Sequence, residues 1–330
     1  MTPFPDCSHS EERKGTSSSI KLHSPAKQMM CGQMAVLYWM AVTLAGIAGN
    51  SLADVDQNEL ATIVNDILNK YTPTYSKKNG NLREPMFSLA VSIPLSSKTN
   101  KYDVSQVLDR VDAVKDTIIT RCEVYTGTRL VAATLLRADD VLEQCPNGRV
   151  PWVDVLEKCP EGVVTWADVK KRCPGALRGH TADHSEYRVL QNFNTLLSNR
   201  NKDDLLLFYS LASPCDQRCT NPDDHSNILD SVKQILNWKK YAFVFSRVFK
   251  PRGNTSIEPA KLNQSLEQLG GSIGLKNVFR CKGENPMQCT SCSENGKVAP
   301  FCYSDQSVQN SVETGDQNAD EKKKLEIFSA

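Results

Sequence analysis

Apolar residues follow two spacings along this chain, and each spacing predicts one kind of element. Helical spacing, at intervals of three and four residues, occurs in residues 60–68, 190–197, 228–236 and 261–269. Short apolar runs, which predict buried strands, occur in residues 87–95, 128–136, 205–209, 241–249 and 277–279. We expect the first helix to end near Pro73. Because a helix separates the last two strands, their connection must cross over, and we expect them to be parallel.

A 14-residue repeat interrupts this pattern within residues 138–178. Its three copies carry Cys145, Cys159 and Cys173, each followed by proline. The repeat is too short and has too few copies to bury a core of its own, so we interpret it as an insertion stapled to the domain by disulfides. Three is an odd number, so at least one repeat cysteine must pair outside the repeat, and Cys122 is the candidate partner.

Metal-ligating residue types stand at two places that the predicted elements can bring together. His184 and Glu186 precede the second predicted helix, and Cys215 and Cys219 follow the strand that ends at Pro214. One imidazole and two thiolates can hold Zn²⁺ and leave a fourth position for water, as in a catalytic site. The metal lowers the pKa of that water, and Glu186 is placed to move its proton. The pattern therefore predicts hydrolytic chemistry.

We expect Asp183 to cap the helix that His184 and Glu186 open, and both cysteines to lie at the start of another helix. Three residues separate Cys215 from Cys219 where zinc deaminases have two, but positions i and i+4 still share a helix face. The alternative is a disulfide between the two cysteines, with His184 and Glu186 on a solvated helix face.

Composition adds limited information. At 330 residues, 40% hydrophobic and 23% charged, the chain can bury one globular core and carry appendages. Its formal net charge of +1 gives no direct argument for nucleic acid, so phosphate binding requires a local basic patch.

The residues near the amino terminus predict secretion. Residues 35–48 form an uncharged apolar segment that is short for a membrane span, and Ser51-Leu52-Ala53 resembles a signal peptidase site. We interpret residues 34–53 as a signal peptide, with residues 1–33 as a disordered or upstream extension, and expect no stable membrane insertion. A core helix or a type II membrane anchor is the alternative. Translation starts at Met34, or the signal is unusually extended.

The 12 cysteines fit an extracellular chain. Two of them, Cys7 and Cys31, lie upstream of the predicted cleavage, and two are assigned to zinc. Eight remain, enough for four disulfides of undetermined connectivity: Cys122, Cys145, Cys159, Cys173, Cys281, Cys289, Cys292 and Cys302. For the cysteines of residues 281–303, a second, structural zinc site is the alternative to disulfides. Asn254 and Asn263 begin glycosylation sequons, and residues 304–330 are polar enough to predict a disordered tail.

With these motifs, the chain resembles the AID/APOBEC-like cytidine deaminases, and most closely their secreted novel branch. The resemblance covers about residues 58–280 and rests on His184-Ser-Glu186, on Ser213-Pro-Cys215 with Cys219, and on residues 244–249. It implies an α/β/α sandwich around a five-stranded mixed sheet whose last two strands are parallel. It also implies Zn²⁺ on His184, Cys215 and Cys219, with Glu186 as the proton shuttle.

The resemblance further points to substrate-binding residues. Ser213 matches the family pattern, whereas Ala212 stands where polynucleotide-editing members have a tryptophan, which leaves a roomier base pocket. Arg247 ends the fourth strand. Lys250 and Arg252 fall in the loop that reads the neighbouring nucleotide, and two cations there suit a phosphate backbone. The alternative for this pair is an ordinary solvated turn.

Three functions remain open from the sequence. The first is a secreted zinc-dependent deaminase that converts cytosine to uracil in single-stranded DNA or RNA, with a role in innate immunity implied by the family alone. The second is a catalytically inactive, disulfide-rich binding protein on the same scaffold. The third is a deaminase of free cytidine or its nucleotides, which the parallel last strands disfavour. The oligomeric state is left open.

Overall fold

The computed structural model describes residues 55–76, 80–177, 182–251, 257–283 and 286–305. They all belong to one compact unit, Leu52–Ala330. The predicted upstream extension and signal peptide lie outside the described residues, as do residues 306–330 of the predicted tail. None of the described helices combines the length and hydropathy that a membrane span requires.

The described strands are β1 (Tyr75–Ser76), β2 (Leu82–Arg83), β3 (Phe87–Ile93), β4 (Tyr125–Thr126), β5 (Leu130–Thr134), β6 (Leu136–Arg137), β7 (Ala182–Asp183), β8 (Leu205–Ala212), β9 (Lys240–Arg247), β10 (Val278–Lys282), β11 (Gln288–Ser291), β12 (Ser293–Glu294) and β13 (Lys297–Val298). The described α-helices are α1 (Gln57–Tyr71), α2 (Val111–Lys115), α3 (Ala138–Gln144), α4 (Val153–Leu156), α5 (Trp166–Arg172), α6 (Ser185–Gln191), α7 (Asn194–Ser198), α8 (Pro259–Ile273) and α9 (Pro300–Tyr303). Short 3₁₀ segments cover Val104–Gln106, Pro174–Leu177, Ser231–Asn237 and Leu275–Asn277, and a π-helical turn covers Asp116–Thr120.

The central sheet is mixed and has the strand order β11-β10-β9-β8-β3-β5-β4. Strands β8, β9 and β10 run parallel, whereas β3 is antiparallel to both β8 and β5. The prediction that β9 and β10 are parallel is therefore confirmed. The predicted count of five strands is wrong for this sheet, because β11 and the two-residue β4 extend its edges. Strand β11 folds back on β10 with Cys281 opposite Cys289, and these two cysteines form a disulfide.

Helices pack against both faces of the sheet. Alternate side chains of β8 and β9 enter two separate hydrophobic clusters, as expected for strands that are buried on both sides. Phe208 and Phe243 join a cluster that includes residues of α6 and α8. Leu207 and Val244 join a cluster that includes residues of α1. The mixed α/β class predicted from the sequence is thus observed.

One predicted helix takes a different form. Residues 228–236 were expected to be α-helical, but Ser231–Asn237 is a 3₁₀ segment. Val232 and Ile235 are both fully buried, and their spacing of three residues places them on one face of a 3₁₀ turn. In an α-helix, Leu236 would share the buried face of Val232, four residues earlier, but Leu236 is 46% exposed. The apolar spacing in the sequence does not distinguish these two kinds of helix.

The repeat insertion buries a hydrophobic cluster separate from the two clusters of the sheet, so the expectation that it buries no core of its own is wrong; Cys122 and Leu136 join this cluster from outside the insertion. Trp152 and Trp166 meet edge to face at 5.1 Å within their own hydrophobic cluster. Two disulfides close the insertion, Cys122–Cys145 and Cys159–Cys173, so the prediction that Cys122 pairs with a repeat cysteine is confirmed. Strands β6 and β7 pair at the base of the insertion, and β7 leads directly to His184.

The carboxyl-terminal cysteines also form disulfides, Cys281–Cys289 and Cys292–Cys302. The alternative of a structural zinc site on these four cysteines is therefore not what the structure shows. All eight cysteines predicted to be disulfide-bonded are paired.

Candidate active site

Helix α6 begins at the candidate site. His184 occupies its N-cap position in extended conformation, and Glu186 lies in the first turn. The prediction that Asp183 caps this helix is wrong. Asp183 is held in β7 opposite Leu136, and its Oδ2 atom accepts a 2.7 Å hydrogen bond from Trp152 Nε1. The insertion therefore fixes the residue immediately before His184.

The two cysteines lie on a turn rather than at the start of a helix, which corrects the second prediction. In an α-helix the amide of Cys219 would donate to the carbonyl of Cys215, but it lies 3.4 Å from the Cys215 sulfur instead. The Cys215 carbonyl accepts from the amide of Thr220, one residue further on. The hydrogen bond from Thr220 closes the turn, and the Cys219 amide lies beside the Cys215 sulfur.

His184, Cys215 and Cys219 bring their ligand atoms together, all within 4.8 Å of one another. His184 Nδ1 lies 3.0 Å from Cys219 Sγ and 3.6 Å from Cys215 Sγ. Tetrahedral Zn²⁺ with ordinary bond lengths requires nitrogen-to-sulfur separations of about 3.6 Å. Both cysteines are buried and free rather than joined to each other. The donor set suits a three-ligand zinc site, and the separation to Cys215 matches the tetrahedral value, whereas the separation to Cys219 is shorter than that value.

The pKa values of the three candidate ligands, His184, Cys215 and Cys219, are shifted in different directions. A hydrogen bond from Cys219 lowers the pKa of Cys215 to about 4, and the same bond together with burial raises that of Cys219. Burial lowers the pKa of His184, but the hydrogen bond with Cys215 and the charge of Glu186 outweigh it and raise that pKa overall. A metal must displace these protons, so its affinity is expected to fall as the pH falls.

Two buried serines donate to the Glu186 carboxylate, which is itself only 5% exposed, and a third serine contacts both of them. Ser210 donates to Oε1 at 2.9 Å, and Ser185 donates to Oε2 at 3.2 Å. Ser88 Oγ lies 3.1 Å from Ser210 Oγ and 2.8 Å from Ser185 Oγ. Burial raises the pKa of Glu186, and the charge of His184 and the Ser210 hydrogen bond partly oppose that shift. Ser185 and Ser210 therefore orient the carboxylate, and the bond from Ser210 also favours its ionised form.

Ser210→Ala is expected to lower kcat/KM for deamination by about tenfold to a hundredfold, since a hydrogen bond to a charged group contributes about 1.5–3 kcal/mol. Loss of the donor raises the pKa of Glu186, so the acidic limb of the pH profile should move to higher pH. Ser92→Ala is the matched control, because Ser92 is a buried strand serine that bonds Asp204 instead. Equal effects from both substitutions would refute the role of Ser210.

Four of the five substrate-binding residues predicted from the sequence line one cavity together with two of the candidate metal ligands. This cavity measures about 1580 Å³, and its lining includes Ala212, Ser213, Arg247 and Lys250 beside His184, Glu186 and Cys215. Ser213 accepts a 3.0 Å hydrogen bond from the amide of Phe249, which fixes the loop after β9. Arg247 pairs with Glu84 at 2.7 Å, whereas Arg252 and Asn254 lie outside the described residues.

Sequence reasoning missed Arg188, which connects the helix of Glu186 to β5 and to Cys122. Its side chain is buried and donates at 2.6 Å to the carbonyls of both Thr134 and Cys122. Burial lowers its pKa to about 10, so the group stays charged at neutral pH. An arginine on the inward face of an amphipathic helix was the available signal, since such residues are almost never buried without partners.

The mixed sheet, the disulfides and the His/Cys/Cys cluster fit an AID/APOBEC-like fold. Sequence comparison adds that residues 166–306, less than half of the chain, match the model of the family described as Secreted Novel AID/APOBEC-like Deaminase 1. The resemblance drawn from the motifs is therefore confirmed. The match includes His184, Glu186, Cys215 and Cys219 but begins after β3 and β5. No curated protein and no solved structure matches the chain.

Proposed function

We propose that this protein is a zinc-dependent deaminase that converts cytosine to uracil in single-stranded nucleic acid. The observation that carries the proposal is the convergence of His184, Cys215 and Cys219 beside the buried carboxylate of Glu186, at the wall of one large cavity. The family match supports the deaminase class. The five central strands, with helices on both faces, would form the α/β/α core of such an enzyme.

The proposed roles follow from the donor types. His184, Cys215 and Cys219 would hold Zn²⁺, which supplies Lewis-acid activation of a water molecule when bound. Glu186 would take one proton of that water and pass it to the ring nitrogen as the oxygen adds to C4. It would then carry the second proton, from the added hydroxyl, to the amino group, so that the C4–nitrogen bond breaks and ammonia leaves. Ser185 and Ser210 would keep the Glu186 carboxylate aimed at this proton path.

The size and charge of the cavity favour a polynucleotide over a free nucleoside. About 1580 Å³ exceeds the range of roughly 300–1,000 Å³ that is usual for small-molecule sites. Among the described residues, six cationic side chains line it against four carboxyl side chains: Arg83, Arg137, Arg247, Lys250, Arg280 and Lys282 against Glu84, Asp140, Glu186 and Asp305. This excess of positive charge suits a phosphate backbone.

Secretion is part of the proposal. The family name, the four disulfides in the described residues and the predicted signal peptide at residues 34–53 all support an extracellular protein. Glycosylation at Asn254 and Asn263 and a role in innate immunity stay predictions. Sequencing the amino terminus of protein recovered from culture medium tests the signal peptide, and a start near Asp54 is expected.

A substrate panel tests the activity. The purified protein is incubated with single-stranded DNA, single-stranded RNA and cytidine, and conversion is measured by deep sequencing or by ammonia release. We expect cytosine-to-uracil conversion in a polynucleotide at a higher kcat/KM than for cytidine. Conversion of cytidine alone would replace the proposal with a nucleoside deaminase. A folded protein that binds nucleic acid without converting any substrate would be a binding protein on a deaminase scaffold.

A further inference from the structure

A cluster of charges at the rim of the cavity is not explained by the deamination chemistry. Lys250, Arg280, Lys282 and Asp305 line the cavity together. Asp305 accepts a hydrogen bond from Arg280, and its carboxylate oxygens lie 3.3 Å from Lys250 Nζ and 3.4 Å from Lys282 Nζ. Three cations therefore surround one carboxylate, and the cluster keeps an excess of positive charge.

The guanidinium of Arg280 is fixed in place. Its side chain is only 2% exposed and donates from Nε to the carbonyl of Ser246 at 3.2 Å. Its Nη1 atom donates to the carbonyls of Phe301 and Ser304. A rigid guanidinium costs little conformational entropy when it binds an anion, since its geometry already matches a carboxylate or a phosphate.

The two lysines complete the cluster from the solvent side. Lys250 follows β9 and Lys282 ends β10, and their side chains are 75% and 48% exposed. A hydrogen bond from Arg280, aided by both lysines, lowers the pKa of Asp305 to about 2. The site therefore stabilises a negative charge strongly, and the anion it holds comes from the chain itself.

We propose that Lys250, Arg280 and Lys282 form a binding site for a backbone phosphate of the nucleic acid, and that the Asp305 carboxylate occupies this site as an internal competitor. The proposal rests on the proposed function in taking nucleic acid as the substrate, and extends it by assigning where a phosphate binds and what restrains that binding. A phosphate has more acceptor oxygens than a carboxylate and can carry more charge, so it satisfies three cations better.

The test is binding of a fluorescently labelled single-stranded oligonucleotide, measured by anisotropy over a range of salt concentrations. Asp305→Asn keeps the shape of the side chain and removes its charge. We expect this variant to bind about tenfold more tightly at low salt, the order of one charge pair that is largely exposed to water. Its log–log salt slope should steepen by up to about 0.7, the value for one more phosphate contact on a single strand.

Asp230→Asn is the matched control, because Asp230 is an exposed carboxylate paired with Lys233 and does not line the cavity. It makes the same change in net charge without freeing the cluster. In the native chain the phosphate shares the site with Asp305, so Lys282→Ala alone should weaken binding and flatten the slope by less than about 0.7. Adding Lys282→Ala to Asp305→Asn should remove most of the gain. An oligonucleotide with an uncharged methylphosphonate backbone should bind all of these variants equally.

Equal affinities for Asp305→Asn and Asp230→Asn would overturn the proposal and leave Asp305 as a structural partner of Arg280. If Asp305→Asn does not fold, Lys250→Ala and Lys282→Ala decide, since both keep the Arg280–Asp305 pair, and unchanged affinity in both overturns the site. The readout is binding rather than turnover. If the variants show the predicted affinities and salt slopes but the protein deaminates no substrate, the proposed function alone is refuted. If the protein deaminates its substrate but the variants do not show these affinities and slopes, the phosphate site alone is refuted.

Discussion

Glu186→Gln is expected to lower kcat for deamination by about 10²–10⁴, the usual contribution of general acid–base catalysis. The amide has the shape of the carboxylate and can still bond Ser185 and Ser210, but it cannot accept a proton from water. Fold and zinc content should therefore stay the same. Two measurements check this: single-turnover conversion of cytosine in an oligonucleotide, and the zinc content of the same preparation.

Glu84→Gln is the matched control for this substitution. Glu84 lines the same cavity and pairs with Arg247, but it does not contact the metal-ligand cluster through any described hydrogen bond or ion pair. Its loss should alter substrate affinity more than kcat. Turnover by Glu186→Gln at the native rate would contradict the proton-transfer role, and loss of zinc would show that Glu186 is a ligand.

Arg188→Met is expected to cause the largest loss of stability among single substitutions near the site. It removes two 2.6 Å charged hydrogen bonds, to the carbonyls of Thr134 and Cys122. Each such bond contributes roughly 1.5–3 kcal/mol, so the free energy of unfolding should fall by about 3–6 kcal/mol. That is a large part of the stability of an ordinary domain.

Chemical denaturation with the disulfides intact measures this effect. Arg200→Met is the control, because Arg200 is exposed and donates a single hydrogen bond to a nearby helix carbonyl. The control should change the unfolding free energy by no more than about 0.5 kcal/mol. A similarly small change for Arg188→Met would mean that its hydrogen bonds to Thr134 and Cys122 do not stabilise the fold.

The long apolar segments were predictable because burial alone determines them. Residues 205–209 and 241–249 appear as β8 and β9, and residues 261–269 lie within α8. The crossover argument also gave the parallel pairing of β9 with β10, since it depends only on element order. These features need no knowledge of particular long-range contacts.

The added strand and the turn at the cysteines were not predictable from local pattern. Strand β11 reads Gln-Cys-Thr-Ser, which has no apolar run, and it pairs with β10 through a hairpin that carries the Cys281–Cys289 disulfide. The turn at Cys215 depends on where one backbone amide points, and residue types do not encode that direction.

The candidate site was partly predictable. The residue types and their order along the chain were enough to predict the candidate site residues His184, Glu186, Cys215 and Cys219. The hydrogen bonds among the serines could not be predicted in this way, because they depend on strand register. Ser88 and Ser210 are direct partners across β3 and β8, and they meet at Glu186 only because that register holds. A serine within an otherwise apolar, buried strand was the available signal. Asp305 lies beside Arg280 through a contact that spans 25 residues, and no local pattern indicates it.

Zinc content is the most direct test of the central claim, that His184, Cys215 and Cys219 form a catalytic metal site. Elemental analysis of protein recovered from culture medium should find about one zinc per chain, because three protein ligands and a water complete a tetrahedral catalytic site. Cys219→Ala should lose this zinc while keeping the four disulfides. Protein without zinc, in which peptide mapping shows Cys215 bonded to Cys219, would contradict the account.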